Sequence, residues 1–237
     1  MAELERPPAR FVLVTGTDTG VGKTVTTAAL AVRHLRAGRS IVVVKATQTG
    51  VAPGAEGDVD VVRRLSGAVH TVELVRLGAP LAPESAARRA GTELPTAAEL
   101  AGRIVAAAAA TGADVVLIEG AGGVAVRIDL NGATVLDLGR ALAVHGDVHV
   151  VVVAHAGLGT LNHTALTVSA IHAAGLAIAG LVIGSWPAVP DLAATVNRDD
   201  LPRVTGLPLL AAVPAGAGGL PPEEFRRQAP GWYDRSG

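Results

Sequence analysis

Ten consecutive residues limit the folds open to this chain more than any others: Thr15-Gly16-Thr17-Asp18-Thr19-Gly20-Val21-Gly22-Lys23-Thr24. They follow the apolar run Phe11-Val12-Leu13-Val14 and precede Val25 to Ala37, where apolar side chains recur at helical spacing. The context is therefore strand, glycine-rich turn, helix. Backbone amides of such a turn and the positive end of the helix dipole attract phosphate oxygens. Lys23 adds a point charge, and the Thr24 hydroxyl suits Mg²⁺. The common template G-x-x-x-x-G-K-[ST] wants glycine at Thr17, whereas this chain has Gly16 one residue earlier and Gly20 inside the loop. A glycine-rich turn without a ligand is the competing reading, and the coincidence of strand, loop, Lys-Thr and helix stands against it.

Further apolar runs recur at Ile41–Val44, Val72–Val75, Val115–Ile118, Val148–Val153, Ile178–Ile183 and Leu207–Val213, and continuous runs of this kind read as strands covered on both faces. Helices are expected between most of them, over Lys23–Ala37, Asp58–Leu65, Glu84–Ala90, Ala97–Thr111, Val135–Val144, Leu161–Ala174 and, broken, across Leu192–Val204. Thr96-x-x-Glu99 and Thr134-x-x-Asp137 have the form of capping boxes, and Gly38, Gly112 and Gly175 stand where helices should stop. The fold class expected is α/β, a P-loop NTPase fold with a mostly parallel seven-stranded sheet flanked by helices on both faces. The 237 residues fit one domain, 1–237, with about 1–9 and 221–237 expected to be peripheral.

Bulk properties exclude several function classes. A formal net charge of -1 gives no case for nucleic acid or an anionic membrane as partner, and the absence of cysteine removes disulfides, thiolate metal sites and cysteine nucleophiles. No stretch reaches the ~18 apolar residues of a membrane-spanning helix, and the acidic start Met1-Ala2-Glu3-Leu4-Glu5 is unlike a signal peptide, so a cytoplasmic location is expected. Of the 20 Lys plus Arg, two are lysine, Lys23 and Lys45. Arginine supplies the ordinary surface charge, so Lys45 falls under the same suspicion as Lys23.

In a parallel sheet the strand ends Thr15, Lys45, Glu119 and Ala154 open on one edge, where α/β ligands bind. Lys45-Ala46-Thr47-Gln48-Thr49-Gly50 brings an ammonium and hydroxyls beside the phosphate loop. Glu119, followed by Gly120-Ala121-Gly122-Gly123, is a carboxylate at the end of a buried strand, costly unless paired or metal-bound. Mg²⁺ with nucleotide phosphate is a natural partner. Asp58 could supply a second carboxylate or cap a helix, and Asp60 competes for the metal role. Gly157-Leu158-Gly159-Thr160-Leu161-Asn162 forms a second anion-receptive helix start, which capping by Thr160 would also explain. None of the seven histidines falls in H-E-x-x-H.

With these pieces assembled the chain resembles the dethiobiotin synthetase family. The resemblance is carried by GTDTGVGKT (Gly16 to Thr24), K-x-x-Q-T-G (Lys45 to Gly50), Asp58, VLIEGAGG (Val116 to Gly123), GLGTLNHT (Gly157 to Thr164) and GLVIGSWP (Gly180 to Pro187), in the family's order over most of the chain. It implies an ATP-dependent cyclo-ligase that carboxylates 7,8-diaminononanoate with CO₂ or bicarbonate and closes a ureido ring, releasing ADP and phosphate. It further implies Mg²⁺ on Thr24, Asp58 and Glu119. Nucleotide would lie on Asp18, Thr19, Gly20, Val21, Gly22, Lys23, Thr24 and Val25, with Thr19, Lys23 and Lys45 acting on the transferred phosphoryl group. Thr49 would meet the carbamate, and Gly159, Thr160, Leu161 and Asn162 the substrate carboxylate across a homodimer interface. Gly184 and Ser185 would stand beside the base, and Pro214, Ala215 and Gly216, by position in the chain alone, would form its other wall. Two departures stand out: Lys45-Ala46 replaces the Lys-Pro of many members, and Gly184-Ser185 replaces an asparagine that reads adenine in some, so nucleotides other than ATP are also expected to fit.

Two rivals share the nucleotide loop. A partition or positioning ATPase would carry a signature lysine where this chain has Asp18, and a cobyrinate-type amidotransferase needs a glutaminase domain with a cysteine nucleophile.

Overall fold

The computed structural model describes residues 9–68 and 70–233. In chain order the elements are β1 (Arg10–Gly16), α1 (Lys23–Arg36), β2 (Ile41–Lys45), β3 (Gln48–Thr49), α2 (Asp58–Ser66), β4 (Thr71–Glu73), β5 (Arg76–Leu77), α3 (Pro83–Ala90), α4 (Ala97–Thr111), β6 (Val115–Gly123) and α5 (Val135–Leu142). They continue as β7 (Val148–Ala154), α6 (Thr160–Ala173), β8 (Ala177–Trp186), α7 (Leu192–Thr205) and β9 (Leu209–Pro214). A 3₁₀ turn (Ala217–Gly219), α8 (Pro222–Gln228) and a last 3₁₀ turn (Ala229–Trp232) close the series.

Seven strands form one sheet in the order β4-β2-β6-β1-β7-β8-β9, every pairing parallel. Alternating residues of each strand feed two cores, which is why the runs read as continuously apolar. Phe11, Leu13, Val42, Val44, Val116 and Ile118 pack on one face with residues of α4, α5, α6 and α7. Val12, Val14, Ile41, Val43, Val115 and Leu117 pack on the other with residues of α1, α2 and α8. Both anticipated capping boxes are formed, at Thr96/Glu99 and Thr134/Asp137. Gly112, with φ 59°, ends α4 in the left-handed conformation that glycine tolerates best. Among the described residues no helix is long and apolar enough to cross a membrane.

Three expectations change. The run Val72–Val75 is strand only as far as Glu73, which aligns with Lys45 in the large sheet; beyond it Arg76 and Leu77 form β5, which aligns with Gln48 and Thr49 of β3 in a separate two-stranded sheet. The helix over Leu192–Thr205 is continuous, with Pro202 accommodated near its end. The segment after Pro221 is not peripheral as far as residue 233, because Phe225 and Ala229 are fully buried and Trp232 and Tyr233 nearly so in the core beneath α1. Apolar side chains spaced as Phe225, Ala229 and Trp232 bury against α1 and α2 despite the prolines and charges between them. The remaining residues expected to be peripheral, 1–8 and 234–237, lie outside those described.

Candidate active site

The phosphate loop takes its shape from contacts a side chain would destroy. A Cβ at Gly16 would meet the Val21 side chain at 2.7 Å and the Asp18 carbonyl oxygen at 2.9 Å, so glycine is needed at 16 and not at Thr17. A Cβ at Gly22 would strike the Gly184 carbonyl oxygen at 2.3 Å, and one at Gly184 would strike that of Val21 at 2.1 Å. Gly20 and Gly22 have φ of 75° and 98°. Val21 is buried and holds the loop to the core, while Val25 is half-buried in the first turn of α1. That helix has no side-chain cap and no acid in its first turn, which leaves its amides free for an anion. Lys23 folds back so that Nζ donates to the Asp18 carbonyl oxygen at 2.9 Å, and the Asp18 carboxylate accepts from the Thr19 amide at 2.6 Å.

Beside this loop the register of β2 and β6 sets Lys45 opposite Glu119. Lys45 Nζ donates to Glu119 Oε1 at 2.8 Å and to the Gly120 carbonyl oxygen at 3.1 Å, and lies 2.6 Å from Asp58 Oδ2. Thr24 Oγ1 donates to the same Glu119 oxygen at 2.9 Å. Lys45 and Glu119 are almost fully buried, while Asp58 keeps 29 % of its side chain exposed. The group opens into a cavity of about 460 Å³ whose lining includes Thr19, Lys23, Lys45, Thr49, Asp58 and Glu119.

Burial works against the charged forms of Lys45, Glu119 and Lys23. It would lower the Lys45 pKa, but the adjoining Glu119 and Asp58 carboxylates outweigh it and hold the ammonium above its ordinary value. Burial pushes the Glu119 carboxyl up, opposed by Lys45. Burial, with Lys45 second, lowers Lys23. A pair of carboxylates and a hydroxyl meeting around one cation is a hard-oxygen donor set, and it fits Mg²⁺ carrying water and phosphate oxygens on its other positions.

Asp58 and Asp60 separate clearly. Asp60 Oδ2 accepts from the Gly57 amide at 3.0 Å, and its other oxygen pairs with Arg63 at 3.1 Å, so it caps α2 and does not line the cavity. Gly57 and not Asp58 is the cap residue, which leaves the Asp58 carboxylate for Lys45.

Not every anticipated residue reaches this cavity. Gly184 packs beneath the loop, and Ser185 is exposed next to Pro214, Ala215 and Gly216 at the ends of β8 and β9. Those ends are joined by an Ala215 amide to Trp186 carbonyl bond of 2.7 Å and lie near the start of α1, where a Cβ on Gly218 would meet Val25 at 3.0 Å. Gly159, Thr160, Leu161 and Asn162 start α6 outside the cavity. Thr160 does not cap that helix, because Gly159 does, with φ 94°. The sequence reading missed the opposite wall, Pro80 to Pro83, and the part played by Gln48 and Arg76. Gln48 stands inside the K-x-x-Q-T-G segment, Lys45 to Gly50, but nothing in the local pattern singles out Arg76 among 18 arginines.

Comparison with known proteins bears on the identity of this site. A family model described as an AAA domain matches residues 10–218. The ATP-dependent dethiobiotin synthetase BioD of Rhodococcus jostii (strain RHA1) is 53 % identical over 224 residues, covering 94 % of each chain. Its namesake in Streptomyces coelicolor is 51 % identical over 221 residues, 93 % of this chain and 90 % of that one. Among solved structures, the septum site-determining protein MinD of Pyrococcus horikoshii OT3, complexed with Mg-ADP, superposes with a TM-score of 0.54 at 20 % identity, covering 93 % of this chain and 89 % of that one. Chloroplast FtsY of Physcomitrella patens does so with 0.53 at 17 %, covering 97 % and 68 %. At that identity the structures speak for the fold alone, whereas half-identity over nearly the full length decides the family: this chain belongs to the ATP-dependent dethiobiotin synthetases.

Proposed function

We propose that this enzyme carboxylates 7,8-diaminononanoate and closes the ureido ring at the expense of a nucleoside triphosphate. An amine of the substrate adds to CO₂, forming an N–C bond and releasing a proton to give a carbamate. A carbamate oxygen attacks the γ-phosphorus, and the bond to ADP breaks. The second amine then attacks the carbonyl carbon of the carbamic-phosphoric anhydride, closing the ring as phosphate leaves.

One observation carries this reading: Thr24, Lys45, Asp58 and Glu119 converge within 3 Å contacts at the cavity, beside the loop that holds Lys23. Thr24, Asp58 and Glu119 would hold Mg²⁺, which when bound neutralises charge on the phosphates. Loop amides from Asp18 to Val25, with Thr19 and Lys23, bind the triphosphate. Lys45, drawn off its two carboxylates, spans carbamate and γ-phosphate, and Thr49 holds the carbamate. The protein's contribution is alignment and charge stabilisation, with no covalent step of its own.

The base is taken between Ser185 and Pro214-Ala215-Gly216. These offer backbone groups and one hydroxyl, and Gly184 has no room for a reading side chain, so weak discrimination among nucleotides follows. The substrate carboxylate is taken at Gly159-Thr160-Leu161-Asn162 of a second copy in a homodimer.

The test measures phosphate release with protein, Mg·ATP, diaminononanoate and bicarbonate, omitting each in turn. Release that requires every component, and a similar rate with CTP or GTP in place of ATP, is the expected outcome. Release indifferent to the diamine would favour the positioning-ATPase reading instead.

A further inference from the structure

We infer that the small sheet of β3 and β5 is a positioning device for Asp58, with Gln48 and Arg76 as its acting residues; this rests on the proposed metal role of Asp58. Asp58 follows a run, residues 52–56, that is exposed throughout and rich in small residues. The capping box of Gly57 and Asp60 orders the start of α2, but the run leading into Asp58 holds no helix or strand and needs an anchor from elsewhere. Two side chains supply it. Gln48 Oε1, buried, accepts from the Asp58 amide at 2.9 Å. Gln48 Nε2 donates to the Thr49 carbonyl oxygen at 3.1 Å, so its orientation is itself set.

Arg76 lies opposite Gln48 in the register of the small sheet. Its guanidinium grips both oxygens of Glu73, at 2.5 and 2.8 Å. With Nη1 it also donates to the carbonyl oxygens of Ala52 and Ala55, at 2.9 and 2.8 Å. The exposed run is thereby tied at two points just ahead of Asp58. Gly57 sits in the middle of this cluster: a Cβ there would meet Arg76 Nη2 at 2.7 Å, Glu73 Oε2 at 2.8 Å and Gln48 Oε1 at 3.3 Å. Glu73 in turn aligns with Lys45 on the edge of the large sheet. The chain of contacts therefore runs from the large sheet, through Glu73 and Arg76, to the backbone that presents Asp58. Lysine could not replace Arg76, because an ammonium cannot hold two carboxylate oxygens and two carbonyls in one plane.

The role is positioning, since among the described residues neither Gln48 nor Arg76 is hydrogen-bonded or ion-paired to Lys45 or Glu119. Groups that orient a metal-binding side chain typically change metal affinity about 10- to 100-fold when lost. The test is Mg²⁺ titration by calorimetry of protein saturated with a non-hydrolysable ATP analogue, for wild type, Gln48→Met, Arg76→Lys, Asp58→Ala and the two double variants. Thermal melting establishes that each is folded, and amide exchange of residues 51–58 is measured in parallel. Weakening of Mg²⁺ binding by about tenfold in each single variant is expected, with faster exchange over 51–58 and less than about twofold further weakening once Asp58 is alanine. Equal weakening with and without Asp58, or none in either single variant while Asp58→Ala weakens binding, would overturn the inference and leave the metal reading standing. Unchanged Mg²⁺ binding in Asp58→Ala itself would overturn both.

Discussion

Lys45 and His34 show opposite ways in which a half-buried or buried base meets its charge. Lys45 is kept charged by two carboxylates at hydrogen-bond distance, and breaking that group by removing one partner leaves a buried charge uncompensated, which makes it expensive to alter. Among the described residues no carboxylate acts on His34 of α1. Burial, then the neighbouring Arg39, Arg33 and Arg10, lowers its pKa from 6.5 to about 4, and its Nδ1 lies 3.2 Å from Arg39 Nη1, so the neutral ring accepts that bond. The unfolded chain, at an ordinary histidine pKa, takes up the proton first as pH falls. Stability from this group is therefore full above about pH 6.5, declines between 6.5 and about 4, and is level below. Because the ring is partly exposed, solvent screening reduces the effect to about 1–2 kcal/mol. Urea unfolding at pH 7 and pH 4.5 should show wild type losing that much more stability than His34→Gln across the interval, and identical losses would refute the assignment.

At the scale of elements, packing decides what propensity leaves open. The glycine loop, most large-sheet strands and the capping boxes were legible because each is specified by a short local pattern: a glycine-rich turn, an apolar run, a Thr followed three residues on by Glu or Asp. Lysine scarcity pointed to Lys45, and the strand end pointed to Glu119. What escaped was set by contacts distant in sequence. The pairing of β3 with β5 joins dipeptides too short for any periodic signal, and Pro80 to Pro83 become a cavity wall only when the chain returns to β3. The segment after Pro221 misled because proline and charge there outweigh, in the sequence, a few apolar side chains that the fold collects under α1. Phe225 tests this directly. It is fully buried and packs edge-on to Trp232, with ring centroids 5.2 Å apart. Arg36 of α1 reaches over to the Arg226 carbonyl oxygen at 2.6 Å. Phe225→Ala should therefore cost about 3–5 kcal/mol in urea unfolding, as for a core phenylalanine, and a loss below about 0.5 kcal/mol would mean the segment is an appendage after all.

For the whole molecule, the sheet order sets the distance that the proposed homodimer would have to bridge. From β2, which carries Lys45, to β7, which leads into the Gly159-Thr160-Leu161-Asn162 turn, the sheet crosses β6 and β1. Three strand spacings amount to about 14 Å, with the phosphate loop between. Within one chain, then, the turn and Lys45 lie on opposite sides of the glycine-rich loop. Leu158 is 89 % exposed, Leu166 64 % and Leu192 80 %, on α6, α7 and the turns leading into them, apolar surface of the kind the proposed homodimer would cover. In the proposed homodimer the partner's turn would have to reach this chain's cavity. Lys45→Ala removes the ammonium, and Asn162→Asp sets a negative charge where the substrate carboxylate would bind, so each homodimer should be nearly inactive. When the two variants are dissociated and reassociated together, half the dimers are mixed, and each mixed dimer has one site free of either lesion. Activity should return to about a quarter of the wild-type value. If turn and lysine served the same site from one chain, every site in the mixture would carry a lesion and no activity would return.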